Sequence, residues 1–225
     1  MASTKQRTGL LLAFLLMGVS ACASSDGRPS QRELKKIAGS AEVQTKREAT
    51  AKAVRDRVRA IEAGVPWLKP LSVITYDQCQ DVRGNAHLFD PNPPKEIFMK
   101  CRMSSYVFFA SDRNPKDSVA DILRREITDW TQSSVSDLLT YYGKDTGLQL
   151  SDRYVPSLTS VSGREMRETL RWDVGGQKVS ATFPKNALWD RLTHRVSEKS
   201  IDQLRQENGV IYMWSLHTNE YHTVS

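Results

Sequence analysis

LSVITYDQC (residues 71–79) and EIFMKCRMSSYVFFAS (residues 96–111) decide the fold. Both stretches are rich in β-branched and aromatic residues, which is typical of strands in a sheet. DPNPPK (residues 90–95) lies between them and is expected to be a loop, because proline cannot join the interior of a sheet. We therefore expect an antiparallel hairpin that brings Cys79 close to Cys101.

A helix is expected before this hairpin. Residues 31–63 contain no proline and are rich in Ala, Lys, Arg and Glu. A stripe of apolar residues at spacings of three and four (Ala51, Val54, Val58, Ile61) predicts that its second half packs on the domain. Gly39 and Ser40 interrupt the pattern in the first half, which we expect to be loose. The prediction is one long helix over residues 31–64, ended by Gly64 and Pro66.

A second helix is predicted over residues 114–143, with a bend at Ser133 and Ser134. Apolar residues recur there with a period of 3.6, and Gly143 ends the pattern. A third is predicted over residues 197–209, followed by a central strand, VIYMWSLHT (residues 210–218), which is apolar on both faces.

The region between these helices reads as strands. LQLSDRYVPSL (residues 148–158) predicts a short edge strand. EMRETLRWDVGGQKVSATF (residues 165–183) alternates apolar and polar residues on both sides of Gly175-Gly176, which predicts a second hairpin. The whole order predicts an α+β fold: an antiparallel sheet covered by helices on one face, preceded by a long N-terminal helix. The domain itself would comprise residues 65–225.

The N-terminal residues have the pattern of a targeting signal. Lys5 and Arg7 precede an apolar run over residues 9–19, about 11 residues long, which suits a signal peptide and is too short to span a bilayer. Val19-Ser20-Ala21-Cys22 then resembles a bacterial lipobox. The resemblance implies that Cys22 is diacylglycerylated and carries palmitate, that cleavage removes residues 1–21, and that residues 22–30 form a flexible tether to the outer face of the cell membrane. An ordinary secretory signal with a chance cysteine is the alternative.

The lipobox resemblance also accounts for the three cysteines. With Cys22 acylated, Cys79 and Cys101 remain, and an even remainder in an exported chain predicts one disulfide. It would close a loop of about 22 residues and stabilise the fold by roughly 3 kcal/mol. Two free buried thiols are the alternative.

The positive charge of the chain lies near the predicted anchor. The net charge is +6, and residues 22–64 hold ten Lys or Arg against six Asp or Glu, whereas the counts are equal from Val65 onward. A basic segment beside a lipid anchor is attracted to anionic headgroups, although a solvated helix face explains it equally well. The basic residues are not interleaved with aromatics, so no nucleic-acid partner is expected.

REATAKAVRDRVRAIEAGVPWLKP (residues 47–70), followed by a strand and a cysteine, resembles the layout of the LppA-like lipoproteins of mycobacteria. The resemblance covers residues 47–80. It implies an α+β envelope lipoprotein and carries no catalytic motif to this chain.

Few residues suggest chemistry. His217, Glu220 and His222 could hold zinc, but their spacing matches no known type of site, so no metal or other cofactor is expected. Asp77 and Asp81 could face a cleft with His87 and act as acid and base; solvated loop carboxylates are the preferred interpretation.

Three aromatic residues, Tyr106, Phe108 and Phe109, could line a ligand pocket or pack in the core.

Together, these features predict a membrane-anchored envelope lipoprotein that is not an enzyme and has a binding or structural role toward an envelope protein or ligand. A carrier of lipid or small molecules with a pocket under the sheet is the alternative, and an envelope hydrolase is the third reading.

Overall fold

A computed structural model of the chain describes residues 28–82, 96–143, 157–160, 165–174, 176–184, 187–195 and 199–225. These residues form five helices and seven strands: α1 (Gln31–Ala38), α2 (Ala41–Gly64), β1 (Lys69–Asp81), β2 (Met99–Ala110), α3 (Pro115–Arg124), α4 (Gln132–Gly143), β3 (Ser157–Thr159), β4 (Met166–Trp172), β5 (Trp189–Arg195), α5 (Ile201–Asn208), β6 (Ile211–Thr218) and β7 (His222–Val224).

The strands form one sheet in the order β3-β4-β6-β2-β1-β5, and β7 pairs with the start of β2. Each strand runs antiparallel to its neighbours. The predicted α+β class is confirmed, including the helical segment that precedes the sheet.

The β1–β2 hairpin is confirmed and lies near the centre of the sheet. Its two long strands pair from Lys69 opposite Ala110 to Asp81 opposite Met99, with one irregularity between Pro70 and Ser72. Cys79 lies directly opposite Cys101, and the two are joined by the predicted disulfide. The predicted loop at residues 90–95 lies outside the described residues.

Helices α2, α3 and α4 cover one face of the sheet, as expected. Their apolar residues pack against side chains that alternate along the strands, since successive residues of a strand point to opposite faces. The largest buried residues of this core are Trp172, Tyr212, Trp214, Phe109 and Ile61.

The second face has its own cover. Helix α5 and residues 178–184 pack there against a smaller cluster that includes Phe108, Tyr106 and Met213. The sequence predicted helices on one face only, so this second layer is an addition to the predicted architecture.

The N-terminal helix is divided in two, which corrects the single helix predicted over residues 31–64. Ser30 caps α1, and Ser40 caps α2 by accepting a hydrogen bond from the Val43 amide. Leu34 and Ala38 in α1 are fully buried beside the disulfide, so the first half is not loose. The break arises because a new cap at Ser40 lets α1 change direction toward the end of the hairpin.

The helix predicted over residues 114–143 is also two helices, and the break is not at Ser133 and Ser134. The chain leaves the helix at Arg125, passes through Glu126 with φ of 50°, and starts again after Thr131. Between the two helices, Trp130 forms a β-bridge with Ser160. The apolar period continues through Ile127 and Trp130 because both still face the core.

The predicted hairpin over residues 165–183 is wrong in its second arm. Gly176 has φ of 81° and Val174 bridges Gln177, so a tight turn does exist. Residues 178–184 then form no strand and cross the second face of the sheet, where Val179 is buried. Side chains hold this segment in place of a strand partner: the Val179 amide donates to Asp173, and its carbonyl accepts from Arg205.

Two edge regions differ from the sequence prediction. The edge strand predicted over residues 148–158 is present as β3 from Ser157, and residues 148–156 lie outside the described residues. Strand β5, at the other edge, was not predicted. Each of its alternating sets mixes one apolar residue, Trp189 or Leu192, with polar ones, which hides the period of a half-buried strand.

A buried polar network joins α2, the α3–α4 connection and β4. Glu168 is 3% exposed and accepts hydrogen bonds from Arg57 Nε (2.7 Å) and Nη2 (2.9 Å), Thr128 Oγ1 (2.8 Å) and Trp214 Nε1 (2.9 Å). Arg57 Nη2 also donates to the Ile127 carbonyl at 2.9 Å. This network ties the helical layer to the sheet through one carboxylate.

Within the described ranges, no helix combines the length and apolarity needed to cross a membrane.

Candidate functional site

A cavity of about 340 Å³ opens between α2 and the sheet. Residues of β1, β2 and β5 line one side of it, and residues of α2 line the other. This space, called here the helix–sheet cavity, lies where small side chains such as Ala51 of α2 and Thr75 of β1 face each other.

The floor of the helix–sheet cavity is apolar. Val54 and Val58, one turn apart on α2, face Val73 of β1 and Met103 of β2, and all four are buried. The hydroxyls of Thr75 and Ser105 form a hydrogen bond of 3.0 Å across the β1–β2 pair. Their polar groups therefore satisfy each other.

The mouth of the cavity is cationic. Arg55 of α2 and Arg191 of β5 are exposed and line it, and neither forms a hydrogen bond or ion pair with another residue in the described part of the chain. Asp56, the acidic neighbour of Arg55, is held by Lys52 at 2.6 Å. Glu48 is the acidic residue of the rim and accepts a hydrogen bond from Gln44 at 2.6 Å.

One end of the cavity is closed by a buried ion pair. Arg47 Nε lies 2.8 Å from Asp77 Oδ2, and the Tyr221 hydroxyl donates to Asp77 Oδ1 at 2.7 Å. The Arg47 guanidinium also lies 3.6 Å from the centre of the Trp189 ring and donates to the Ala38 carbonyl at the end of α1. Burial raises the pKa of Asp77, although Tyr221 and Arg47 both favour its ionised form.

This geometry corrects the interpretation of Asp77 as a solvated loop carboxylate. Asp77 is 4% exposed on a central strand and is committed to Arg47 and Tyr221. Asp81 lies at the end of β1, and His87 lies outside the described residues. Through Arg47, Asp77 therefore links the end of α1 and α2 to the sheet.

The three aromatic residues considered for a pocket are core residues and do not line the helix–sheet cavity. Tyr106 and Phe108 pack on the second face of the sheet, where the Tyr106 hydroxyl donates to the Thr182 carbonyl at 3.0 Å. Phe109 is fully buried on the first face. The structure thus favours core packing over the pocket for all three.

The two histidines near the C-terminus are held by different partners. His217 Nδ1 lies 3.0 Å from Ser104 Oγ, His222 Nδ1 lies 3.3 Å from Lys46 Nζ, and Glu220 pairs with Lys100 at 3.1 Å. Among the described residues, no three His, Cys, Asp or Glu side chains form a group that could hold a metal ion.

His217 predicts a pH dependence of stability. Burial first, and then the charges of Arg102, Arg167 and Arg171, lower the pKa of His217 below its usual 6.5. As pH falls through 6.5, the unfolded chain therefore binds a proton before the folded chain does, so the free energy of unfolding decreases. Urea unfolding between pH 7.5 and 5.5 is expected to show this loss.

The matched variant is His217→Gln, which can still hydrogen-bond to Ser104 and cannot titrate. It is expected to lose less stability over the same pH interval. His222, whose pKa is lowered mainly by burial and by Lys46, adds a separate contribution that His222→Gln removes. An identical loss in wild type and His217→Gln would contradict the prediction.

The sequence did not single out the residues that make the cavity distinctive. Arg55 looked like one of many basic residues on a solvated helix, and Arg191 lies on a strand that was not predicted. A signal for Arg55 did exist, since it directly follows Val54 of the apolar stripe. The two predicted cysteines are brought together, and Cys22 lies outside the described residues.

Comparison of the chain with models of protein families, with curated protein sequences and with solved structures finds no match to any of them.

Proposed function

We propose that the chain is a cell-envelope lipoprotein, anchored to the outer face of the cell membrane through Cys22, with a binding role that is not enzymatic. The observation that carries the proposal is the order of a basic start, a short apolar run and Val19-Ser20-Ala21-Cys22. Two acyl chains hold a protein at a membrane where one does not. The Cys79–Cys101 disulfide supports an oxidising compartment outside the cytosol.

The arrangement of the helix–sheet cavity supports binding rather than catalysis. Its buried carboxylate is neutralised by Arg47, the hydroxyls of Thr75 and Ser105 bond to each other, and the Thr193 hydroxyl donates to the Thr75 carbonyl. General acid–base catalysis requires a group of suitable pKa within hydrogen-bond reach of the substrate. Asp77 is instead shared between Arg47 and Tyr221, which gives it a positioning role.

The anchor is tested by Cys22→Ser. The full chain is expressed in a bacterium that processes lipoproteins and is fed labelled palmitate. Wild type is expected to carry the label and to sediment with membranes, whereas Cys22→Ser is expected to lose the label and most of its membrane association.

The matched control is the double variant Cys79→Ser/Cys101→Ser, which removes two thiols and leaves Cys22. It is expected to keep the label. Equal membrane association and no label in both wild type and Cys22→Ser would refute the anchor.

A second candidate function is that of a small-molecule carrier, and the helix–sheet cavity favours it. Its volume of about 340 Å³ lies within the range of about 300–1,000 Å³ that is usual for ligand sites. Its apolar floor and charged mouth match the usual composition of such sites. A carrier of this kind would present its ligand outside the membrane to which it is anchored.

A further inference from the structure

We propose that the helix–sheet cavity binds a small organic carboxylate, with the carboxylate at Arg55 and Arg191 and its apolar body on the valine-lined floor. The inference rests on the carrier function proposed above and names the ligand class. It adds a ligand site that the sequence did not indicate.

The net charge of the cavity lining selects an anion with one charge. Three arginines and two carboxylates line it (Arg47, Arg55, Arg191, Glu48 and Asp77), so the lining carries one net positive charge. A cation would be repelled by the two arginines at the mouth. An anion with several charges would exceed the charge that the lining can balance. A monocarboxylate satisfies both conditions.

The position of the free positive charge follows from the pairing inside the cavity. Arg191 lies directly across from Asp77 in the β1–β5 register. Asp77, however, already receives the Arg47 guanidinium and the Tyr221 hydroxyl. The charge of Arg191 also favours the ionised form of Asp77, so one carboxylate faces two guanidiniums and balances only one of their two positive charges. Arg55 adds a second guanidinium, and Arg side chains hold carboxylates with hydrogen bonds in a fixed planar geometry.

The volume of the cavity limits the size of the apolar body. At about 30 Å³ for a water-sized group, 340 Å³ holds about ten non-hydrogen atoms. A lipid with two long acyl chains does not fit within this space. Val54, Val58, Val73 and Met103 supply the apolar surface that such a body would cover. Octanoate, with one charge and a short chain, is a suitable probe.

The test is equilibrium dialysis of labelled octanoate against the full lipidated chain in phosphatidylcholine vesicles, corrected with empty vesicles. Octanol and octyltrimethylammonium serve as neutral and cationic probes of the same chain length. Wild type is expected to bind octanoate saturably at one site and at least about tenfold more tightly than either control, since a hydrogen bond to a charged group is usually worth a factor of about ten or more.

The variant Arg55→Gln/Arg191→Gln is expected to weaken octanoate binding by at least about tenfold. Both residues are exposed, so the variant is expected to fold. The matched control is Arg59→Gln/Arg171→Gln, which removes the same charge at exposed residues outside the cavity and is expected to bind like wild type. Ala51→Phe, which fills the cavity, is expected to abolish binding while urea unfolding reports whether it folds.

Three outcomes overturn the inference, and they separate it from the function on which it rests. Octanol bound as tightly as octanoate leaves the carrier function standing and removes the anion specificity. Undiminished binding by Arg55→Gln/Arg191→Gln contradicts the assignment of these two arginines to the carboxylate. Absence of saturable binding of all three probes removes the carrier function as well, and the palmitate label still decides the anchor independently.

Discussion

Glu168→Ala is expected to lower the free energy of unfolding by about 3–5 kcal/mol, because it leaves the guanidinium of Arg57 partly buried without its counterion. The four hydrogen bonds that Glu168 accepts come from α2, from the α3–α4 connection and from β6. The donors Thr128 Oγ1 and Trp214 Nε1 would also lose their acceptor. Each buried polar group without a partner costs about 1–3 kcal/mol.

Urea unfolding at pH 7.5 measures this effect. The matched control is Glu220→Ala, which removes an exposed carboxylate paired with Lys100 and is expected to cost at most about 1 kcal/mol. Combining Glu168→Ala with Arg57→Met is expected to cost less than Glu168→Ala alone, since the stranded charge is then gone. A cost below about 1 kcal/mol for Glu168→Ala would contradict this account of the network.

Removal of the disulfide is expected to have the second large effect. Cys79→Ala/Cys101→Ala is expected to lower the free energy of unfolding by about 3 kcal/mol, because the unfolded chain is no longer closed across its 22-residue separation. Both sulfurs lie in a buried cluster with Leu34, Val43 and Met99. The folded state should therefore keep its packing, and the loss should come mainly from the greater entropy of the unfolded chain.

Urea unfolding with and without dithiothreitol measures this effect. Wild type is expected to lose stability when reduced, and the double alanine variant should be insensitive to the reductant. A reduced wild type that unfolds at the same urea concentration as the oxidised protein would refute the stabilising role of the disulfide.

The central hairpin and its cysteine pair were predictable because the determinants lie close together in sequence. Strand residues on each side of a proline-rich segment leave an antiparallel pair as the simplest arrangement. The register then follows from the two cysteines. The α+β class was predictable for a similar reason, since helical and strand periods alternate along the chain.

The breaks within the helical regions were not predictable from periodicity. Ile127 and Trp130 keep the apolar period across the α3–α4 break, because a residue can face the core from a loop as well as from a helix. Ser40 is a local signal for a helix start. A break there is favoured only because Leu34 can then be buried against the folded hairpin, which the local sequence does not show. Tertiary contacts therefore determine where both helical regions break.

Alternation misled the prediction at residues 178–184 for a related reason. An extended segment that lies on the face of a sheet buries every second residue, as a strand does. The amide and the carbonyl of Val179 are satisfied by the side chains of Asp173 and Arg205, so the segment needs no strand partner there. The helix–sheet cavity was not predictable from local sequence either, because it forms only when α2 packs against β1, β2 and β5.

The connection from residue 28 to the disulfide has a mechanical consequence. Arg28 pairs with Glu96, α1 buries Leu34 beside the disulfide, and Arg47 joins the end of α1 to β1. Tension applied at residue 28 would reach the hairpin at its covalently closed end. When the domain unfolds under this force, the disulfide keeps the 22-residue loop closed, so the released length is shorter by about 75 Å. Strands β1 and β2 stay crosslinked under load.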